Sequence, residues 1–171
     1  MSNPDLHITV MAEEEPLAIG FEAVALYHGQ AALAMLAVTF QGLRLTLPLL
    51  SPDAPPQRST LSVISGHPGA GVRDAFEFVT RALTRGAYRV DRNLPDARLN
   101  PHAQISYSFS ITAGAQTVQA ALKPGVLPER FFELTAISDG SAALRAEFSL
   151  LKHRIAAEVL AAEPQSLFML S

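Results

Sequence analysis

From residue 30 to residue 45 the chain reads Gln-Ala-Ala-Leu-Ala-Met-Leu-Ala-Val-Thr-Phe-Gln-Gly-Leu-Arg-Leu, apolar on almost every side of a helix. Such a helix belongs in a core or a subunit contact. The stretch from Pro16 is helical in character as well. It predicts a helix over Pro16 to Leu50 that breaks near His28-Gly29, because a glycine inside a helix costs about 1 kcal/mol relative to alanine. Ahead of it, Asp5 to Met11 alternates weakly, as an edge strand does. Ser51 to Gln57 holds three prolines and reads as a loop, and Thr60 to Ser65 reads as a short buried strand. Val72 to Thr84 is amphipathic, with Val72, Ala75, Phe76, Val79 and Leu83 on one stripe, and Gly86 is placed to cap it.

The second half adds a hairpin. Ile105, Tyr107, Phe109 and Ile111 alternate with Ser106, Ser108, Ser110 and Thr112, the clearest strand pattern in the chain. Ala113 to Gln116 turns it into a partner strand, Thr117 to Leu122. Pro128 to Ile137 predicts a helix, and Asp139 or Ser141 caps a longer one over Ala142 to Ala162. The apolar tail, Leu167 to Leu170, docks on its own body or on a second copy of the chain. Strands separated by helices, with one hairpin, predict a single α+β domain over residues 1–171, its mixed or antiparallel sheet packed with helices. No internal repeat or linker interrupts it.

Composition narrows the function classes. A chain of 171 residues, 49% apolar, can bury a real core as one domain. Only 17% of residues are charged and the net charge is −3, which leaves no basic face for a phosphate backbone and argues against nucleic acid. With no cysteine, disulfides, Cys-ligated zinc and thiolate nucleophiles are excluded. The uninterrupted apolar run Ala31 to Val38 falls short of the roughly 18 residues that span a bilayer. Glu13, Glu14 and Glu15 stand where a secretory signal needs apolar residues. The expectation is a soluble cytoplasmic protein that does not engage a membrane. The apolar helix and tail together predict a homodimer.

Two segments carry candidate chemistry. Ser65-Gly66-His67-Pro68-Gly69-Ala70-Gly71-Val72-Arg73-Asp74 joins a strand to a helix, where Gly66, Gly69 and Gly71 permit close backbone approach and can cradle a small anionic ligand. Tyr27-His28-Gly29-Gln30 precedes the long apolar helix. His28 and His67 are candidate metal ligands facing one pocket; if they share a metal, their nearest nitrogens lie about 3–4 Å apart. Asp74 either orients a histidine or sits in the first helical turn facing the dipole. Tyr107 and His102 flank the hairpin and can reach the same pocket, whereas His7 and His153 fall on surface faces. The glycine spacing is not the dinucleotide fingerprint, and neither a nucleophile elbow nor a His-x-x-x-His pair is present.

Tyr27-His28-Gly29-Gln30, the glycine-bearing turn Gly66 to Ala75 after a buried strand, and Ile105-Ser106-Tyr107-Ser108-Phe109 together resemble the formylmethanofuran dehydrogenase E-type family. The likeness covers roughly Glu22 to Thr117. The family's second motif histidine is Gln30 here, and its cysteine is missing. What the resemblance implies is a metal- or cofactor-binding pocket beside the first helix, holding a divalent transition metal such as zinc, nickel or iron. Gly66, Gly69, Gly71, Asp74 and Tyr107 would then contact a cofactor. The alternative is an enzyme that uses His67 as general acid or base on a small substrate.

Overall fold

A computed structural model of the chain describes residues 6–171. It opens with a hairpin, strand β1 (His7–Ala12) paired antiparallel with β2 (Glu15–Gly20) in the register His7 to Gly20 and Val10 to Leu17. Ile8 and Val10 turn inward on β1, as the alternation there predicts, while Asp5 lies outside the described residues. The helix expected from Pro16 is corrected: residues 15–20 form a strand. Only Ile19 of β2 is buried, so its apolar pattern is too sparse to show its period, and pairing with β1 decides its conformation.

Helix α1 (Phe21–His28) ends where the predicted break falls, at Gly29 with φ +87°. A single tight turn over Gln30–Ala32 leads into α2 (Leu33–Leu50). Every residue from Ala34 to Leu43 is buried. By length and apolarity the segment Gln30–Leu50 matches a membrane span, longer than the apolar run read from the sequence, yet 67% of its most apolar window is packed inside the fold. The polar groups carried into that interior are satisfied. Thr39 donates to the Met35 carbonyl and Thr46 to that of Gly42. Gln41 donates to the carbonyls of Val159 (2.8 Å) and Ala162 (2.9 Å) and accepts from Arg44 (2.7 Å). Gly42 lets the sheet lie against the helix: a Cβ there would come within 2.7 Å of the Phe109 ring.

The main sheet is completed by β3 (Leu61–Ser65), β4 (Tyr88–Val90), β5 (Ser108–Ala113), β6 (Gln116–Leu122) and β7 (Phe168–Leu170), in the order β4-β3-β5-β6-β7. Helix α3 (Ala70–Thr80) crosses from β3 to the parallel β4, and all other neighbours run antiparallel. Helices α4 (Glu129–Thr135), α5 (Ala142–Ala161) and α6 (Pro164–Leu167) follow the hairpin. The result is the mixed α+β architecture that the pattern implies. Ser141 caps α5, accepting from the Leu144 N–H at 3.2 Å.

Several boundaries differ, each for a local reason. Helix α3 stops at Thr80, not Thr84, because Arg81 turns left-handed (φ +55°) and the Thr80 hydroxyl and Glu77 carboxylate take the N–H groups of Ala82 and Thr84. Arg58 and Arg85 converge on that end: Arg58 donates to the carbonyl of Val79, and Arg85 to those of Thr80 and Ser59. Their charge offsets the negative end of the helix dipole. The ladder of β5 starts at Ser108 because the N–H groups of Ser106 and Tyr107 go to Gly66 and Ala97 instead. The tail docks on its own sheet. Leu122 pairs with Phe168, Ser171 exchanges both backbone hydrogen bonds with Gln119, and Leu167 and Phe168 are buried.

Leu36 lies fully inside this core. Leu36→Asp buries an unpaired carboxylate and is expected to lower the unfolding free energy by at least about 3 kcal/mol. Urea unfolding checks this; a variant that melts within a degree or two of the parent contradicts the enclosed position of α2.

Candidate functional site

The turn between β3 and α3 shapes the central imidazole. Ser65 Oγ accepts from the His67 N–H and donates to its carbonyl, both at 3.2 Å, which folds the turn back on itself. His67 Nδ1 accepts from the Gly69 N–H at 2.9 Å. In the neutral ring the proton therefore sits on Nε2, which becomes a donor. Burial, helped by the charge of Arg92, pushes the His67 pKa down to about 4. Nε2 has no protein partner. The one buried side-chain polar atom left unpaired among the described residues is Tyr88 Oη, so His67 Nε2 opens onto accessible space.

That space is a cavity of about 440 Å³. Its polar wall comes from His67, Arg92, Asn100, His102 and Tyr107. The Tyr107 ring stands edge-on to His67 with centroids 5.0 Å apart, and its hydroxyl accepts from Asn100 at 3.3 Å. Burial raises the phenol's pKa above its usual value, the Asn100 bond opposing it. The apolar wall is Met35 from α2, Ile105, Phe131 from α4 and Phe148 from α5, with the Phe131 and Phe148 rings 5.7 Å apart. Lys152 closes one side. Its ammonium donates to the Ala31 carbonyl at 2.6 Å and lies 4.4 Å over the Phe148 ring. Burial lowers its pKa. Among the described residues no Asp or Glu side chain lines the cavity.

His28 is placed differently. Its Nδ1 bonds Asp74 Oδ2 at 2.7 Å, and Arg73 Nε donates to the other oxygen at 2.9 Å. Burial pushes the Asp74 carboxyl up, but the bonds from His28 and Arg73, with their charge, outweigh it and leave the pKa below the ordinary carboxylate value. Of the two roles read for Asp74, the structure favours orienting a histidine. His28 Nε2 is unpaired and sits beside Gly71, about 3.7 Å from where a Cβ on that glycine would stand.

His67, Tyr107 and His102 are thus brought to one cavity, while His28 and Asp74 are not among its lining residues. The three glycines do not line it either. Their close approach is to the chain itself, since a Cβ would meet Ser106 at Gly66, the His67 ring at Gly69 and Ala32 at Gly71, each within 2.6 Å. Among the described residues no three His, Asp or Glu side chains assemble as a metal-ligand set. The donors present therefore do not by themselves fit a closed metal site. Sequence reasoning missed Arg92, Asn100, Phe131, Phe148 and Lys152 as cavity residues; they come from the loop before β5, from α4 and from α5, which only the fold brings together.

Compared with known protein families and with curated proteins, the chain finds no match. The likeness to the formylmethanofuran dehydrogenase E-type family therefore rests on its short motifs alone.

The depressed pKa of His67 has a thermodynamic consequence. Between its folded value near 4 and the usual 6.5, the unfolded chain binds a proton that the folded chain does not, so stability rises with pH through that window and is lost as pH falls through it. The expected loss between pH 6.5 and 4 is a few kcal/mol. In His67→Asn, whose side-chain oxygen can still accept from Gly69, this component of the slope should vanish. Denaturant titrations at pH 4.5, 5.5 and 7 on both proteins check it; identical slopes contradict the assignment.

Proposed function

We propose that this chain is a binding protein for a small molecule or cofactor, held in the cavity beside His67. One observation carries the reading: a partly buried imidazole whose Nε2–H has no partner among the described residues opens into an otherwise largely apolar cavity. Ligand sites typically combine such an apolar lining with a few placed polar groups, and occupy about 300–1,000 Å³. The pKa of His67 weighs against the enzymatic alternative. A group that titrates near 4 is a poor proton shuttle at neutral pH, where general acid–base catalysts are tuned close to the working pH.

Ala103 lines the cavity and is only partly buried, so Ala103→Trp can occupy it without displacing the core. In ligand-observed NMR with an aromatic fragment panel, fragments bound by the parent protein should bind at least about tenfold more weakly to this variant, with an unchanged circular dichroism spectrum. Equal binding by both proteins contradicts the location.

The His28–Asp74 pair favours a second reading. A carboxylate holding one imidazole nitrogen while the other stays unpaired is how proteins present histidine to zinc, nickel or iron, and the resemblance to the formylmethanofuran dehydrogenase E-type family points the same way. One imidazole is too few, so water, a bound ligand or a second copy must supply the rest, which ties this reading to the homodimer. Untagged protein incubated with zinc should retain metal after desalting and sediment at about twice 18.3 kDa. His28→Ala should lose the metal. Parent protein that sediments near 18.3 kDa and retains no zinc contradicts both expectations.

A further inference from the structure

The cavity is asymmetric in charge. The chain carries more acidic than basic residues, net −3, yet among the described residues no Asp or Glu lines the cavity and both Arg92 and Lys152 do. The cations differ in availability. Lys152 is engaged by the Ala31 carbonyl and the face of Phe148. Arg92 spends only Nε, on the Gln104 carbonyl at 3.1 Å, so its two terminal nitrogens have no partner among the described residues.

Arg92 stands on the same wall as His67 and near enough for its charge to act on that imidazole. Tyr107 stacks edge-on against the ring, and Asn100 adds its amide. Donors dominate this wall: guanidinium N–H groups, an imidazole Nε2–H and a carboxamide. A group that completes it must be an acceptor and gains from being negative. A planar two-oxygen acceptor matches the guanidinium fork in a way a spherical anion does not. The rest of the lining includes the Phe148 ring and the Met35 side chain, which give an apolar body a surface to cover.

Resting on the binding reading above, we propose that the ligand is a monocarboxylate with an aromatic or branched apolar body, its carboxylate set on Arg92 and His67 and its body against Phe148 and Met35. The carboxylate meets donors that have no partner among the described residues, and the body covers the partly exposed Phe148 ring. A free inorganic anion meets only half of the site.

Isothermal titration at neutral pH with four probes tests this: 3-phenylpropanoate, 3-phenylpropanamide, phenyl phosphate and acetate. The acid should bind at least about tenfold tighter than the amide, which has the same shape and no charge. Acetate should show no measurable binding. Arg92 is exposed, so Arg92→Gln is expected to fold; it should erase the preference for the acid over the amide. An amide bound as tightly as the acid, with both lost in Ala103→Trp, overturns the carboxylate and leaves the binding reading standing. Phenyl phosphate bound tighter than the acid overturns it in favour of a phosphoryl head. If no probe binds, this inference is overturned, and if the fragment panel is also silent the binding reading falls with it.

Discussion

Much of this fold answers to one constraint: from Ala34 to Leu43, α2 has no face it can show to water. Ten consecutive residues, Ala34 to Leu43, are buried, so the helix must be covered on all sides. The sheet covers one side, with Gly42 cut back to admit Phe109, and α5, α3 and α1 pack against the others. Full enclosure carries a polar penalty unless each buried hydrogen-bonding group is met. Gln41 meets its share by spanning to the end of α5, where it donates to the carbonyls of Val159 and Ala162. One side chain thereby satisfies itself and closes the terminus of the helix laid across it.

The cavity follows from the same arrangement. Helix α2 supplies Met35, α5 supplies Phe148 and Lys152, and the turn after β3 brings His67 to the same wall. Its asymmetry is built in. The hydrogen bond from Gly69 fixes the tautomer of His67, and the fixed tautomer makes the exposed nitrogen a donor. A metal at His67 would need a lone pair on Nε2, and moving the proton to Nδ1 would set it against the Gly69 N–H. His28 has the opposite arrangement, since its Nδ1–H donates to Asp74 and, in the neutral ring, the lone pair is on Nε2. Two histidines in similar glycine settings are thus given different chemistry by their nearest backbone and carboxylate neighbours.

The parts legible in the sequence were those with strong local pattern. The apolar run of α2, the stripe of α3, the serine alternation of β5 and the break at Gly29 all have a period or a breaker that acts over a few residues. Strand β2 was not legible, because Glu15, Pro16, Leu17 and Ala18 are exposed and only Ile19 packs inward. Strand β4 is three residues long, and β7 depends on the distant β6 to become a strand at all. The site divides in the same way. His67 and Tyr107 stood out because their immediate neighbours are unusual, whereas Lys152 looks like any lysine on a helix until the turn at Ala31 is folded against it.

The bond from Gln41 to the carbonyl of Val159 joins residues 118 positions apart. On a ribosome, α2 is therefore made long before β5, β6 and α5 exist to cover it. At about 5–20 residues per second, the 111 positions from Leu50 to Ala161 take roughly 5–20 s. Through that interval a segment with the length and apolarity of a membrane span has the first hairpin, α1 and later α3 for shelter, without the sheet hairpin and α5. The feature that makes the finished core cohesive thus makes the nascent chain a substrate for whatever apolar surface reaches it first.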